Sequence, residues 1–451
     1  MKISKFIGTE IRGYMNFDIS FNDDLTFLIG INGSGKTTVL RLISALITPS
    51  YFDLVQIDFK HVEIHIKNVS DDSTSIICCD KFSQTMTIKY KGEEGNVPII
   101  NIRKNGYSKD FFVDRFRQEQ LAFEELPVIQ QVKKIRTPLF LGLNRRVFDN
   151  FFNQIEKETG FFRREPFNID FLFDVVDKAL NDIQELFYNK TRQNTSSQYS
   201  LSERFRKKVF EESLKISQPH SSASIDYRQE LQLLNSKRDE LNSAIELLGM
   251  TDLKDSFDDF FDSISNTLSI LSKTSSIDDK KQPNEEYYLA LLNWIVNSIQ
   301  LERVDSTIKY ANEYAQSIQK LKEPFTRFVD SVNSFFCEAN KNIKVAENGD
   351  IKIMIEGSKK TNSIYELSSG EKQLLIIFAH VAFHKKITPN TAPIFIIDEP
   401  ELSLHIAWQE KFVDALLQAN PDTQFIMATH APAIIAKNER KQYCVDLSKK
   451  N

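Results

Sequence analysis

Cysteine is scarce in this chain of 451 residues: Cys78, Cys79, Cys337 and Cys444 are the only four. None forms a C-x-x-C pair, so neither a zinc site nor a disulfide framework is indicated, and a reducing compartment fits best. Tryptophan is scarcer, with 2 residues against 35 phenylalanines. Long apolar runs are missing: no stretch approaches the ~18–20 apolar residues of a membrane-spanning helix. The opening Met1-Lys-Ile-Ser-Lys-Phe lacks the apolar region of a secretory signal. The expectation is a soluble, cytoplasmic protein with no membrane partner. No one sign of charge dominates, since 57 Lys and Arg face 62 Asp and Glu for a net −5. That excludes a globally basic nucleic-acid binder and leaves room for local basic patches. What is present is enough apolar residue, 41%, for two or three domains, or for one domain with a large insertion.

The most informative stretch is Gly30–Thr37, G-I-N-G-S-G-K-T, which fits the pattern of Gly, four residues, then Gly-Lys-Thr. The apolar run Leu25–Ile29 precedes it and the helically spaced Thr38–Leu46 follows, giving the strand–loop–helix context that the motif requires. Gly30, Gly33 and Gly35 allow the tight turn that aims the N–H groups of Asn32, Gly33, Ser34, Gly35 and Thr38 at phosphate oxygens. The helix N-terminus adds partial positive charge. Lys36 is placed to reach the outer phosphates of ATP, and the Thr37 hydroxyl to bind Mg²⁺.

Strands are predicted at Ile3–Gly8, Asn16–Phe21, Leu25–Ile29, His61–Lys67, Ser75–Asp80 and Thr85–Tyr90, with a turn over Lys91–Gly95. Together they read as an antiparallel sheet beside a nucleotide-binding core. Pro138–Leu143 reads as a further strand, with Arg145 and Arg146 at its end as phosphate or partner contacts or as a plain surface pair. From about Phe148 to Asp330 strand signals vanish and helical spacing takes over. Tyr227–Met250 carries a Leu/Ile stripe that predicts a short helical hairpin. Asn189–Ser202 and Ser217–Ser224 are polar and Ser-rich, and mobile segments are expected there. Tyr287–Ala315 predicts an amphipathic helix or helix pair. Strands return at Ile343–Val345 and Ile351–Ile355. Then come helix (370–385), strand (394–397), helix (402–418) and strand (425–428), a parallel α/β progression.

This last progression carries three more motifs. Leu367-Ser-Ser-Gly-Glu-Lys-Gln373 opens a helix that Ser368 or Ser369 can cap, with Glu371 in its first turn. Ile394-Phe-Ile-Ile-Asp398-Glu399-Pro400 is a buried strand ending in two acids, at the carboxyl edge where α/β sheets place ligands. Asp398 is placed to hold Mg²⁺ and Glu399 to orient and polarise the attacking water. Gln424–His430 is a second such strand, ending in Thr429-His430. The set, in this order, resembles the ABC-type ATPases whose head is split by an insertion, as in SMC-like and RecF-like proteins.

The resemblance implies an α/β P-loop head, a mixed sheet with helices plus an antiparallel β subdomain, split by an α-helical insertion. Residues 1–147 and 331–451 form the two halves of the head and 148–330 the insertion. It implies that Ser368, Ser369, Gly370 and Glu371 approach the ATP of an opposite subunit, and that His430 is a switch histidine at the γ-phosphate. It also implies dimerisation, or a higher oligomer, through ATP-sandwiched heads. Stand-alone heads of this kind resemble the ATPase family of the Septu anti-phage system, whose partner is a separate HNH nuclease. The chain ends soon after His430, so no Toprim domain is expected. Two alternatives stay open: a RecF-like repair ATPase acting directly on nucleic acid, and an ATP-stabilised oligomeric scaffold without significant turnover. His380 and His384 share a helix face but lack a third ligand for a metal. Arg12 could stack on the base, and Gln130 or Gln131 could touch the metal ion.

Overall fold

A computed structural model describes residues 1–68, 72–99, 118–135, 139–141, 147–148, 169–215, 226–248, 252, 254–274, 285–358, 360–383 and 393–448. It divides into a head, Met1–Tyr188 with Pro324–Asn451, and a helical unit, Asn189–Glu323.

The head contains β1 (Lys2–Ile11), β2 (Met15–Ser20), β3 (Leu25–Ile29), β4 (His61–Lys67), β5 (Thr74–Lys81), β6 (Thr85–Tyr90) and β7 (Glu93–Pro98). It continues with β8 (Leu139–Leu141), β9 (Val147–Phe148), β10 (Lys341–Val345), β11 (Ile351–Ile355), β12 (Thr361–Asn362), β13 (Ile394–Asp398), β14 (Gln424–Ala428) and β15 (Cys444–Asp446). An antiparallel sheet runs β2-β1-β4-β5-β6-β7, and a three-stranded one β10-β11-β12. The third sheet runs β15-β3-β14-β13-β8-β9 and is parallel except for β8 with β9. β7 begins inside the stretch expected to be a turn, so the turn is only Lys91-Gly92. Its sequence offers Val97 as the sole large apolar residue facing inward, which is why periodicity missed it.

The helices of the head are α1 (Lys36–Ile47), α2 (Tyr51–Gln56) and α3 (Pro127–Lys133) in its first half. Both faces of the parallel sheet are covered, and its central strands are predominantly apolar. Alternate residues feed two cores. Leu28, Ile394, Ile396 and Ile426 pack toward α1 and the antiparallel sheet. Phe27, Phe395, Ile397, Phe425 and Met427 pack on the opposite side.

The long helices are α4 (Ile169–Ser213), α5 (Tyr227–Leu248), α6 (Lys254–Thr274) and α7 (Glu285–Phe336). The helical unit has its own core, including Leu234, Leu241, Ile245, Phe261, Leu268 and Trp294. Arg238 ties α5 to α6 through Asp258 (2.6 Å) and Asp262 (2.7 Å). Asn189–Ser202, expected to be a mobile segment, lies inside α4. Its polar residues suit an exposed helix as well as a loop, and composition alone does not separate the two. The unit is shorter at both ends than the span 148–330. Leu180, Ile183 and Phe187 of α4, with Phe328 of α7, are buried in the head core instead. No helix among the described residues is long and apolar enough to cross a membrane.

The helices after the three-stranded sheet are α8 (Ser369–Phe383), α9 (Ile406–Ala419) and α10 (Pro432–Ile435). One polar side chain joins the two large sheets. Gln424, fully buried, donates from Nε2 to Ile3 O (2.7 Å) and Asn22 O (2.8 Å), and its Oε1 accepts from Ile3 N–H (2.8 Å). It satisfies Ile3 where the β1–β4 register shifts. Gln424→Leu leaves these groups buried without partners. It is expected to cost about 3 kcal/mol, read as a lower urea midpoint at unchanged m-value.

Candidate nucleotide site

The site follows from strand order. β14 lies between β3 and β13, with Ala428 level with both Leu28 and Asp398. The ladder continues past the strands, since Thr429 N–H donates to Leu28 O (3.1 Å) and Glu399 N–H to Ala428 O (2.9 Å). The three strand exits therefore set the loop after β3, His430 after β14 and the acid pair at the end of β13 side by side. This is the carboxyl edge where open α/β sheets place ligands.

The loop after β3 has the conformation its glycines allow. Gly35 (φ +94°) stands at the N-cap of α1, which has no side-chain cap and no acid in its first turn. Its orphan N–H groups are thus left for a ligand. A Cβ at Gly35 would come within 2.8 Å of Phe17. Lys36 is 5% exposed, and Nζ donates to Gly30 O (2.9 Å), Ile31 O (3.2 Å) and His430 Nδ1 (3.4 Å). Burial lowers the Lys36 pKa against the opposing pull of Glu399, Asp398 and Glu401. Ser34 Oγ is buried without a partner. Asn32 and Gly33 are exposed, and Thr38 is buried.

Asp398 is 4% exposed, and neither carboxylate oxygen has a hydrogen-bond partner. Desolvation is the main cause pushing its pKa up to about 6, helped by the charges of Glu399 and Glu401 and held back by Thr37 and Lys36. An unpartnered buried carboxylate beside a threonine hydroxyl fits Mg²⁺, which takes one or two carboxylates plus phosphate oxygens and water. Glu399, partly exposed, adopts a left-handed backbone (φ +49°). That conformation costs a non-glycine residue about 1 kcal/mol or more and clusters at functional positions.

Two contributors carry no motif signal of their own. Glu401 accepts hydrogen bonds from Thr429 Oγ1 (2.9 Å), His430 N–H (2.7 Å) and Ala431 N–H (3.1 Å). Ser448 Oγ accepts from Ile31 N–H (3.0 Å), and Leu447 N–H donates to Ile29 O (2.9 Å), bracing the phosphate loop from the C-terminal segment. Glu401 lies two residues beyond the acid pair Asp398-Glu399, and Ser448 lies near the C-terminus, outside every motif.

Ser368 and Ser369 are exposed at the start of α8. Gly370 is buried, and a Cβ there would lie 2.5 Å from Ser403 O. Glu371 is turned inward. It accepts from Ser368 N–H (2.8 Å) and from Lys341 Nζ (2.8 Å) in a capping box that Ser368 Oγ completes from the Glu371 N–H (3.4 Å). These four are therefore not gathered with Lys36 by any described contact within the chain. Gln130 donates to Glu124 O (2.7 Å), and the N–H of Arg12 to Asp58 O (2.7 Å); among the described residues neither has a polar contact with Lys36, Asp398 or Glu399. Arg145, Arg146, His384 and 217–224 lie outside the described residues. Among the described residues, no cluster of three or more His, Cys, Asp or Glu has metal-holding geometry.

A family described as "AAA ATPase domain", AAA_15, matches residues 1–435. The chain is 27% identical over 150 residues to the Retron Ec83 probable ATPase of Escherichia coli, covering 29% of this chain and 27% of that one. It is 28% identical over 113 residues to the Retron Vc95 probable ATPase of Vibrio cholerae serotype O1 biovar El Tor, covering 24% and 22%. It thus spans about a quarter of these relatives. Among solved structures it is similar to the Smc head domain with an extended coiled coil, bound to the C-terminal domain of ScpA, from Pyrococcus furiosus. That match has TM-score 0.39 and 14% identity, over 96% of this chain and 91% of that one. The SMC head domain from Thermotoga maritima matches with TM-score 0.36 and 13% identity, over 97% and 93%.

The Asp398 shift carries a stability cost of known sign. Its carboxyl titrates near 3.8 when unfolded and near 6 when folded. Below about pH 3 both states are protonated and nothing is lost. Between about pH 3 and 7 the folded state loses stability, and above about pH 7 the loss is constant at about 3 kcal/mol. Without Mg²⁺, Asp398→Asn is expected to raise the melting temperature at pH 8 and leave it unchanged at pH 3.

Proposed function

The chain belongs to the AAA_15 family of AAA ATPase domains, and from that premise we propose that it hydrolyses ATP at a site completed by a second copy and uses the cycle as a switch in an anti-phage defence complex. The observation that carries the ATPase reading is the meeting of Lys36, Asp398, Glu399 and His430 at three adjacent strand exits.

In this reading the phosphate-loop N–H groups and Lys36 bind the β- and γ-phosphates. Thr37 and Asp398 hold Mg²⁺, which when bound neutralises charge on the phosphate oxygens. Glu399 orients a water, whose oxygen attacks the γ-phosphorus while its proton passes to the carboxylate. The β–γ bridging P–O bond breaks with its electrons going to ADP, and His430 binds the γ-phosphate oxygens. Lys36 then exchanges its loop carbonyls and His430 for phosphate. The exposed Ser368 and Ser369, at a helix end, suit contact with ATP held by another copy. The partial match to two retron ATPases supports the defence setting. The effector we assign is a separate nuclease of HNH type, by the resemblance to Septu ATPases.

Lys36→Ala is expected to weaken ATP binding at least about 100-fold, because the buried ammonium is the main cation facing the phosphates. Glu399→Gln is expected to cut kcat about 10²- to 10³-fold with ATP still bound, and to accumulate dimer in size-exclusion light scattering with ATP. A Glu399→Gln variant with the wild-type rate overturns the base assignment. Specific activity should fall on dilution; DNA-stimulated hydrolysis without any partner would favour direct action on DNA.

A further inference from the structure

We propose that Glu401 is a positioning residue for hydrolysis, setting the place of the His430 imidazole through the main chain of the turn that carries it. The inference rests on the ATPase reading above and names a residue that reading does not use.

Glu401 follows Glu399 by two residues and belongs to the same exit from β13. Its own segment is braced: Leu402 N–H donates to Glu399 O (3.2 Å) and Leu404 N–H to Glu401 O (3.0 Å). Gln409 Nε2 on α9 donates to Leu404 O (3.0 Å). From this base the carboxylate reaches the exit of the neighbouring strand β14. Oε1 takes the N–H groups of His430 and Ala431, and Oε2 takes the Thr429 hydroxyl. Thr429 Oγ1 accepts from Ala431 N–H in turn (3.0 Å), so the four groups form a closed set. Thr429 is 1% exposed, which makes an unpaired hydroxyl there costly.

His430 has no comparable support for its ring. The side chain is exposed, and its only described polar contact is the 3.4 Å approach of Lys36 Nζ. The ring must therefore be placed by its backbone. Glu401 thus fixes the distance between the base Glu399, on its own segment, and the γ-phosphate contact His430, on the next one. A misplacement of about 1 Å in such a pair costs on the order of 10²-fold in rate.

Glu401 also bears a charge that acts on Lys36, so position and charge must be told apart. Glutamine does so. Its Oε1 can keep both N–H bonds, and its amide can donate to Thr429 Oγ1 in place of accepting from it. Glu401→Gln is expected to keep kcat within about 3-fold, whereas Glu401→Ala lowers it about 10- to 100-fold, with the KM for ATP within about 3-fold in both. In a His430→Ala background, Glu401→Ala is expected to cost less than about 3-fold more, because both changes remove one function. Should Glu401→Ala fail to fold, Thr429→Val serves in its place, with a smaller loss that His430→Ala also absorbs.

A separate readout needs no turnover. In ¹H–¹³C spectra of the histidines, the His430 signal (identified by its loss in His430→Ala) should shift in Glu401→Ala or Thr429→Val and hold in Glu401→Gln. Effects that multiply in the double variant, a Gln variant as slow as the Ala variant, or an unmoved His430 signal overturn the proposal. A wild-type protein that hydrolyses no ATP overturns the ATPase reading, and the histidine signals then still decide whether Glu401 positions His430.

Discussion

The head depends on β14 being clamped between β3 and β13. Apart from Thr26, Asp398 and Gln424 the three strands are apolar, and alternate residues enter two different cores. A slip of one residue would exchange the two sets and put Phe425 and Met427 where Ile426 belongs. Register is therefore fixed by burial. Gln424 anchors the start of β14 to Ile3 and Asn22. Once the register is set, Ala428 stands level with Leu28 and Asp398, and residues from opposite ends of the chain share one edge. No local interaction could achieve this, because Lys36 and Asp398 meet only through three non-consecutive strands.

The same edge gathers several features that cost the fold free energy. Asp398 is buried without a partner, Ser34 Oγ is unsatisfied, and Glu399 holds a left-handed backbone. Lys36 is desolvated and donates to loop carbonyls. Two of these have a remedy in a phosphate–metal ligand: an anion for the ammonium and helix N-terminus, a cation for the carboxylate. Single unsatisfied atoms occur elsewhere too, on Thr48, Gln120, Arg303, Gln373 and Thr423, whereas Gln424 and Glu371 are well partnered. What sets this edge apart is that a buried carboxylate with both oxygens unmet stands beside a desolvated ammonium.

Much of this was legible in the residues because the signals were local. β3, β4, β6 and β11 fall where alternation or apolar runs place them, and Gly30–Thr37 has a spacing that only a phosphate loop needs. Less was legible where tertiary context decides. Asn189–Ser202 is polar enough to read as a loop, yet it is interior to a 45-residue helix. Glu371 reads as part of a nucleotide-contacting signature, yet it spends both oxygens on Ser368 and Lys341. Glu401 is one acid in an acid-rich turn. Its role emerges only when the exit of β14 is known to lie beside it.

That turn also bears on how two copies would communicate. On one side Glu401 holds the His430 segment. On the other, the backbone of Ser403, itself left-handed at φ +65°, lies so close to Gly370 that no Cβ fits between them. Gly370 lies in the first turn of α8, beside the exposed Ser368 and Ser369, and that helix is anchored at Lys372 to Asp177 (2.9 Å) on α4. A displacement of residues 399–404 therefore cannot leave either neighbour in place. The Gly370–Ser403 contact, already too close for a Cβ, passes it on by packing. The glycine at position 370 is thus required by the chain's own packing, before any contact with a second copy is considered.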